Sequence, residues 1–166
     1  MFARTSIRFQ LIGTVSITDP VEILHFLNTR FADVSPVGDF ASMLVVCVNV
    51  PAQTLTYASA GHPAAWLLSA SGELRELAST GLLLGIERDA TWERTTFELA
   101  HADRLLMATD GVTETLNSRG EYFGQKRLTH YFRERRHLDL DTTIRQITEA
   151  AAGIHGRLGH RCLTRP

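Results

Sequence analysis

The first clear hydrophobic pattern along the chain is helical. Asp19 is a favourable N-cap, Pro20 suits the first helical position, and Glu22 lies three residues after the cap. Apolar residues then recur on one helical face, at Val21, Ile23, Leu24, Phe26, Leu27 and Phe31. A weaker helical pattern covers residues 2–12. The spacing therefore predicts two consecutive helices before the chain reaches Phe40.

From Phe40 onward the pattern is that of β-strands. Residues 40–48 and 104–109 are apolar at successive positions, which predicts strands buried on both faces. Further strands are expected at residues 54–60, 66–68, 74–77 and 91–99. Residues 66–68 and 74–77 are expected to form a hairpin across Ser71 and Gly72.

Beyond Asp110 the pattern returns to helix. Apolar stripes are expected at Leu128, Tyr131 and Phe132, and then at Ile144, Ile147 and Ala151. The last helix is expected to start near residues 139–141 and to end at Gly153. Short connections between strands predict mostly antiparallel sheets. Because doubly buried strands need a cover on each face, we expect an α/β fold with two packed sheets and helices outside.

Charge and cysteine content narrow the classes of function. The chain has 17 Lys and Arg against 18 Asp and Glu, a formal net charge of −1. Such a chain lacks the basic excess that draws proteins to nucleic acid or anionic lipid, so we expect neither as a partner. Cys47 and Cys162 lie far apart, which favours a reducing, cytoplasmic setting. No stretch of about 18 apolar residues predicts a transmembrane helix.

Asp110 is the strongest candidate for chemistry. It follows a predicted buried strand, and Gly111 allows a sharp turn beside it. A carboxylate at the open end of a strand, in a polar cleft, is well placed to bind a hard divalent cation. The structural alternative is an Asx-type turn, in which the Asp110 side chain accepts hydrogen bonds from nearby amides.

Two further segments carry turn residues without a chemistry of their own. Gly61, His62 and Pro63 end a predicted strand, and this spacing alone favours a tight corner between strands. Residues 79–86 place two glycines around an apolar loop. No phosphate-binding glycine motif of the nucleotide-binding proteins is present.

Four ordered segments together resemble one family. Residues 54–65, 80–86, 102–115 and 122–128 are similar to the bacterial PPM-type (metal-dependent, type 2C) serine/threonine protein phosphatases. The branch they resemble is the stage II sporulation E-like group. The resemblance implies a four-layer α/β/β/α sandwich of mostly antiparallel sheets. It covers residues 1–152, a partial phosphatase domain, and leaves residues 153–166 as a divergent basic tail.

The resemblance also implies a metal site. Asp110 matches the metal-ligating Asp of the TDG motif, in which Thr109 and Gly111 flank it and Glu114 follows. A second motif, AGHP, is matched by Gly61, His62 and Pro63, and we assign no catalytic residue there. Family members hold two Mn²⁺ or Mg²⁺ ions, which bridge a water that attacks the phosphoester.

The sequence departs from the family at both ends. An N-terminal acidic metal motif and an Asp-containing final strand are missing, so we expect a sandwich truncated at both ends. Asp33, Asp39 and Asp103 are the other carboxylates that could help to bind a metal ion, and none of them occupies a motif position. One family carboxylate cannot hold two divalent ions, so we expect this hydrolase to be weak or inactive alone. Exposed sheet edges predict a homodimer or a strand-donating partner.

The function that these residues predict is dephosphorylation in bacterial sigma-factor signalling. The expected substrate is phosphoserine or phosphothreonine on a small regulatory protein of the anti-anti-sigma factor type. The alternative is a non-catalytic interaction module that kept the sandwich and lost the metals. A third possibility, an unrelated sandwich protein that mimics the motifs, conflicts with four ordered matches.

Overall fold

The computed structural model describes residues 18–36, 38–116 and 120–153. The elements in these ranges are α1 (Pro20–Val34), β1 (Met43–Asn49), β2 (Thr54–Ala60), β3 (Ala65–Leu68), β4 (Leu74–Leu77), β5 (Thr95–Glu98), β6 (Arg104–Leu106), α2 (Asp110–Thr113), α3 (Gly124–Glu134) and α4 (Leu140–Gly153). The helix expected over residues 2–12 lies outside the described residues, as does almost all of the expected tail. The class is confirmed: α/β with antiparallel pairing of β1 with β2, and of β3 with β4 and β6.

The chain divides into two compact units. Of the described residues, those up to Gly61 together with residues 80–97 form the first unit, and residues 62–79 together with those from Glu98 onward form the second. Within the described ranges, no helix combines the length and the apolar character needed to cross a bilayer.

Helix α1 and the sheet β1-β2-β5 build the first unit. The cap predicted at Asp19 is confirmed, because its carboxylate accepts a hydrogen bond from the Val21 N–H at 2.9 Å. The apolar face of α1 packs on the sheet and forms a core cluster. The buried members of this cluster are Leu24, Leu27, Ala58, Ala60, Leu84, Ala90 and Trp92.

Strand β1 is less buried than its sequence predicts. The strand begins at Met43 rather than at Phe40, whose side chain is 62% exposed. Its residues are half-buried or exposed, and among the described strands of this sheet β1 lies at one end of the order and β2 in the centre. Cys47 is therefore half-buried rather than a core residue. Partial burial, and secondarily the charge of Asp19, raise the pKa of its thiol.

The second unit is a sheet of order β4-β3-β6 with helices packed on it. The hairpin β3–β4 is confirmed, and Gly72 adopts φ +94° in its turn. Strand β3 is buried along its whole length. The helical stripes pack against it, and the buried residues of this cluster are Trp66, Leu68, Phe123, Leu128, Phe132, Ile147 and Ala151.

Three expectations are wrong in extent. Strand β6 spans only Arg104–Leu106 and is half-buried, because its pairing with β3 covers only these three residues. The strand expected over residues 91–99 is limited to Thr95–Glu98. Ile144, expected on the inner face of the last helix, is exposed.

Candidate functional site

Asp110 is the first residue of α2, at the point where the chain leaves β6. Thr109 precedes the helix with extended backbone, φ −82° and ψ 164°. The Asp110 backbone carbonyl accepts from the Glu114 N–H at 2.7 Å and from the Thr113 hydroxyl at 3.2 Å. The side chain is exposed, and its carboxylate makes no hydrogen bond or ion pair with any described residue. The geometry around Asp110 therefore comes from the backbone of this turn.

The cavity at this end of β6 is apolar. Its volume is about 270 Å³, and it is lined by Leu106, Met107, Ala108, Thr109, Val112, Leu128, Ile144, Ile147 and Thr148. Asp110 does not line it. The polar cleft that we expect around the Asp110 carboxylate therefore stays a prediction.

The carboxylates do not gather into a metal site. No group of three or more His, Cys, Asp or Glu side chains that could hold an ion occurs in residues 18–36, 38–116 and 120–153. All 18 Asp and Glu residues of the sequence fall within these ranges. A divalent ion needs several fixed oxygen ligands. The carboxylates of this chain therefore do not form the two-ion site that the resemblance implies.

Two of the three other carboxylates considered as metal ligands are held by an ion pair or by hydrogen bonds. Asp33 pairs with Arg88 at 3.1 Å. The Asp103 carboxylate accepts from the backbone N–H groups of Ala70 and Ala100, at 3.2 and 2.9 Å. Asp39 is exposed. These contacts explain the first two acids without a metal role.

The Gly61–His62–Pro63 segment forms a turn at the end of β2. Gly61 adopts φ +62°, and a Cβ there would lie 2.6 Å from Cγ of Leu83. His62 is half-buried, and its Nδ1 lies 2.8 Å from the carbonyl oxygen of Pro63. This geometry requires glycine at position 61 because both the backbone conformation and the space exclude a larger residue.

The glycine-containing loop at residues 80–86 is held by a buried side chain that the sequence did not single out. The Asn28 amide donates to the carbonyls of Glu87 and Arg88, at 2.9 and 3.0 Å. Its carbonyl oxygen accepts from the Gly85 N–H at 2.8 Å. The available signal was a polar residue on the apolar face of α1, four residues after Leu24. The hydrogen bonds from Asn28 thus fix this loop to α1 and stabilise the fold.

Comparison with known families gives one match over almost the whole chain. The family model described as "Stage II sporulation protein E (SpoIIE)" matches residues 3–160. Two curated proteins are similar in sequence. "Protein IcfG" of Synechocystis is 29% identical over 119 residues, covering 72% of this chain and 18% of that protein. "Phosphoserine phosphatase RsbU" of Bacillus subtilis is 29% identical over 102 residues, covering 61% and 30%. The chain thus spans less than a third of either relative.

Three solved structures share the fold. The SiaA-PP2C domain of Pseudomonas aeruginosa superposes with a TM-score of 0.74 at 20% identity, covering 84% of this chain and 56% of that one. The RsbU and RsbW domains of Rv1364c from Mycobacterium tuberculosis give 0.67 at 21%, covering 80% and 37%. The phosphatase domain of SpoIIE from Bacillus subtilis gives 0.57 at 11%, covering 83% and 60%. The mixed α/β architecture is therefore that of PP2C phosphatase domains.

Proposed function

Because the chain belongs to the stage II sporulation protein E family, a metal-dependent phosphatase family, we propose that it is a PPM-type phosphatase domain that acts on a phosphorylated regulatory protein. The resemblance drawn from four sequence motifs is confirmed by the family match. The observation that supports the activity most is that all four motifs, between residues 54 and 128, lie inside the matched range. Family membership does not favour the alternative of a non-catalytic interaction module.

The proposed substrate is phosphoserine or phosphothreonine on a protein of the anti-anti-sigma factor type. One similar protein is named a phosphoserine phosphatase, RsbU. One structural neighbour contains RsbU and RsbW domains in a single protein. These names support a partner that is itself a regulatory protein in sigma-factor signalling.

We propose that Asp110 contributes one carboxylate to a Mn²⁺ or Mg²⁺ site. Its support is the motif position, the exposed side chain and the lack of any contact with described residues that would give it a structural role. Thr109, Gly111 and Glu114 belong to the same motif and set the turn in which Asp110 lies. The role that we propose for Gly61, His62 and Pro63 is to fix the turn after β2.

The donor set limits what the chain does by itself. Since its carboxylates do not form a group of three, an ion bound at Asp110 keeps most of its water and exchanges freely. We therefore expect Mn²⁺-dependent hydrolysis of p-nitrophenyl phosphate by this chain to be near background. The Asp110→Asn variant is expected to have the same low rate.

The activity is tested by supplying the absent carboxylates. An extended version carries an acidic segment before Met1 and an Asp-containing strand after residue 153. We expect its Mn²⁺-dependent hydrolysis, of both the aryl phosphate and a phosphorylated anti-anti-sigma-type protein, to exceed that of the original chain by orders of magnitude. Asp110→Asn should abolish this rate, whereas Asp89→Asn, at another exposed acid, should preserve it.

Two results would contradict the proposal. An extended protein with no metal-dependent turnover on either substrate would argue against the phosphatase function. Turnover that survives Asp110→Asn would show that Asp110 is not a metal ligand, while leaving the phosphatase function standing.

A further inference from the structure

Two cations on the outer face of α3 have no ion pair within the described structure. The side chains of Lys126 and Arg133 are exposed, and neither makes a hydrogen bond or an ion pair with any described residue. The cations beside them are held in place. Arg127 lies 4.0 Å from a Glu121 carboxylate oxygen, and Arg135 donates to a glutamine of α4 at 2.6 Å. The helix therefore presents two charges that no described carboxylate neutralises.

Lys126 and Arg133 belong to one stripe along α3. His130, which is also exposed, follows Lys126 by four residues, and Arg133 follows it by seven, so the three side chains share one helical face. The two buried residues of α3 lie on the opposite face. The stripe runs about 10 Å along the helix axis, a length that several residues of a bound segment would cover.

A cavity opens at the start of the same helix. Its volume is about 710 Å³, within the range of ligand-binding clefts, and all its lining residues belong to the second unit. Trp66, Leu74 and Phe123 give it an apolar wall, and Lys126 lines it as well. Tyr122, another lining residue, is 61% exposed. Because Lys126 belongs to both the cavity and the stripe, the two form one continuous surface.

We propose that this α3 surface, made of the stripe Lys126, His130 and Arg133 and the adjoining cavity, binds an acidic segment of a partner protein. The segment places carboxylates along the stripe and one large apolar side chain in the cavity. Charge complementarity selects the acidic partner, and the exposed tyrosine and arginine are residue types enriched where proteins meet. Asp110 and a metal ion take no part in this contact, so it is independent of the proposed phosphatase activity.

Acidic side chains near the surface favour a protein over a polyanion of uniform charge. Glu76 lines the cavity, and Glu134 lies one helical turn from His130. A nucleic acid backbone carries phosphates at regular spacing and would bring some of them to these acids. A protein segment can place neutral or basic residues opposite them. The formal net charge of −1 also gives the chain no general attraction for polyanions.

Selection from a phage-displayed library of random peptides, on the immobilised full chain, tests the chemistry of the partner. We expect enrichment of peptides rich in Asp and Glu that contain one large apolar residue. Binding of a synthetic, fluorescein-labelled copy of such a peptide should weaken as NaCl is added. Enrichment of neutral or basic peptides, or no enrichment, would overturn the proposal. Tighter binding of duplex DNA or of phosphatidylserine vesicles than of the peptide would overturn it in favour of a polyanion site.

Fluorescence anisotropy with the same labelled peptide tests the location of the charge contact. Arg133→Glu reverses a charge that faces a carboxylate of the peptide, so it should raise the dissociation constant at least about fivefold. Arg145→Glu, at an exposed arginine of α4, makes the same change in net charge and is the matched control. It should change the dissociation constant less than about twofold. Equal weakening by both variants would show a response to net charge alone and would overturn the assignment to α3.

A second pair of variants tests the cavity. Tyr122→Ala removes an exposed aromatic ring from the lining and should raise the dissociation constant at least about fivefold. Phe40→Ala, at an aromatic residue of the first unit that is 62% exposed, is the control and should leave it unchanged. Unchanged affinity in Tyr122→Ala would overturn the placement of the apolar side chain in the cavity. Thermal unfolding followed by circular dichroism verifies that all four variants are folded.

Discussion

Asn28 and Asp110 are polar side chains that the fold uses in opposite ways. Asn28 is fully buried on α1, and its amide makes three hydrogen bonds to the backbone of residues 85–88. Asp110 is exposed at the start of α2, and its carboxylate makes no hydrogen bond or ion pair with any described residue. A buried polar group must be hydrogen-bonded to be tolerated, so Asn28 stabilises the fold. The Asp110 carboxylate has no comparable structural role among the described residues.

Gly81, in the segment of residues 80–86, and Gly111, in the segment of residues 102–115, also differ in how closely their surroundings pack. A Cβ at Gly81 would lie 2.5 Å from the Thr91 carbonyl oxygen and 2.5 Å from Cδ1 of Trp92. Among the described residues, a Cβ at Gly111 would meet only the Thr109 hydroxyl, at 3.5 Å. The first segment is packed by its surroundings, whereas the second is open. Resemblance to family motifs alone does not distinguish these two cases.

Replacing Asn28 should have the largest effect on stability. Asn28→Ala leaves the Gly85 N–H and the carbonyls of Glu87 and Arg88 without this partner, so we expect a loss of about 2–4 kcal/mol. Urea unfolding measures this free energy. Thr29→Ala, at the next residue on the exposed face of α1, is the control and should change it by less than about 0.5 kcal/mol. Equal losses in the free energy of unfolding for Asn28→Ala and Thr29→Ala would show that the hydrogen bonds of Asn28 do not stabilise the fold.

Gly81→Ala should be the next most harmful substitution. The added methyl group meets a backbone oxygen that cannot rotate away, so we expect a loss of about 1–3 kcal/mol. Gly111→Ala, which adds a methyl group in open space within a helix, should leave the free energy of unfolding unchanged or raise it by less than about 1 kcal/mol. If Gly111→Ala lowers the free energy of unfolding more than Gly81→Ala does, then position 111 is the more tightly packed of the two and the account is wrong.

Removal of the α1 cap should have a smaller effect. Asp19→Ala loses the hydrogen bond from Val21 and the ion pair with Arg94, and we expect a loss of about 1 kcal/mol. Asp19→Asn keeps the cap and loses the ion pair, so it should recover most of the stability. If the two variants lose the same amount, then the ion pair rather than the cap stabilises this end of α1.

The smallest expected effect is a pH dependence at the start of α4. The Thr142 N–H donates to the Asp139 carboxylate at 2.8 Å and lowers the pKa of that carboxyl below its usual range. A lowered pKa means that this stabilisation is present above the unfolded-state pKa and is lost as the pH falls through the folded-state value. The urea midpoint of the native protein should therefore fall more on acidification than that of Asp139→Asn. Parallel pH curves would contradict the assignment.

Elements whose ends are set by residues adjacent in the sequence could be predicted from local sequence signals. The cap at Asp19, the turn at Gly72 and the strand Thr54–Ala60 are of this kind. The ends of β1 and β6 could not be predicted, because they depend on which strands pair with them. Four ordered motifs predicted the family, which the family match confirms, and a metal-binding role for Asp110, which stays a prediction. They did not predict Asn28, whose partners lie almost sixty residues away in sequence.

Urea unfolding of the wild-type chain and of Asp110→Asn, each with and without Mn²⁺, tests most directly whether the Asp110 carboxylate contributes to the stability of the fold. We expect all four free energies of unfolding to agree within about 0.5 kcal/mol, because the carboxylate makes no hydrogen bond or ion pair with described residues and cannot fix an ion by itself. A loss of more than about 1 kcal/mol in the variant without metal would show that Asp110 stabilises the fold. Stabilisation of only the wild type by Mn²⁺ would show that this chain holds a complete metal site.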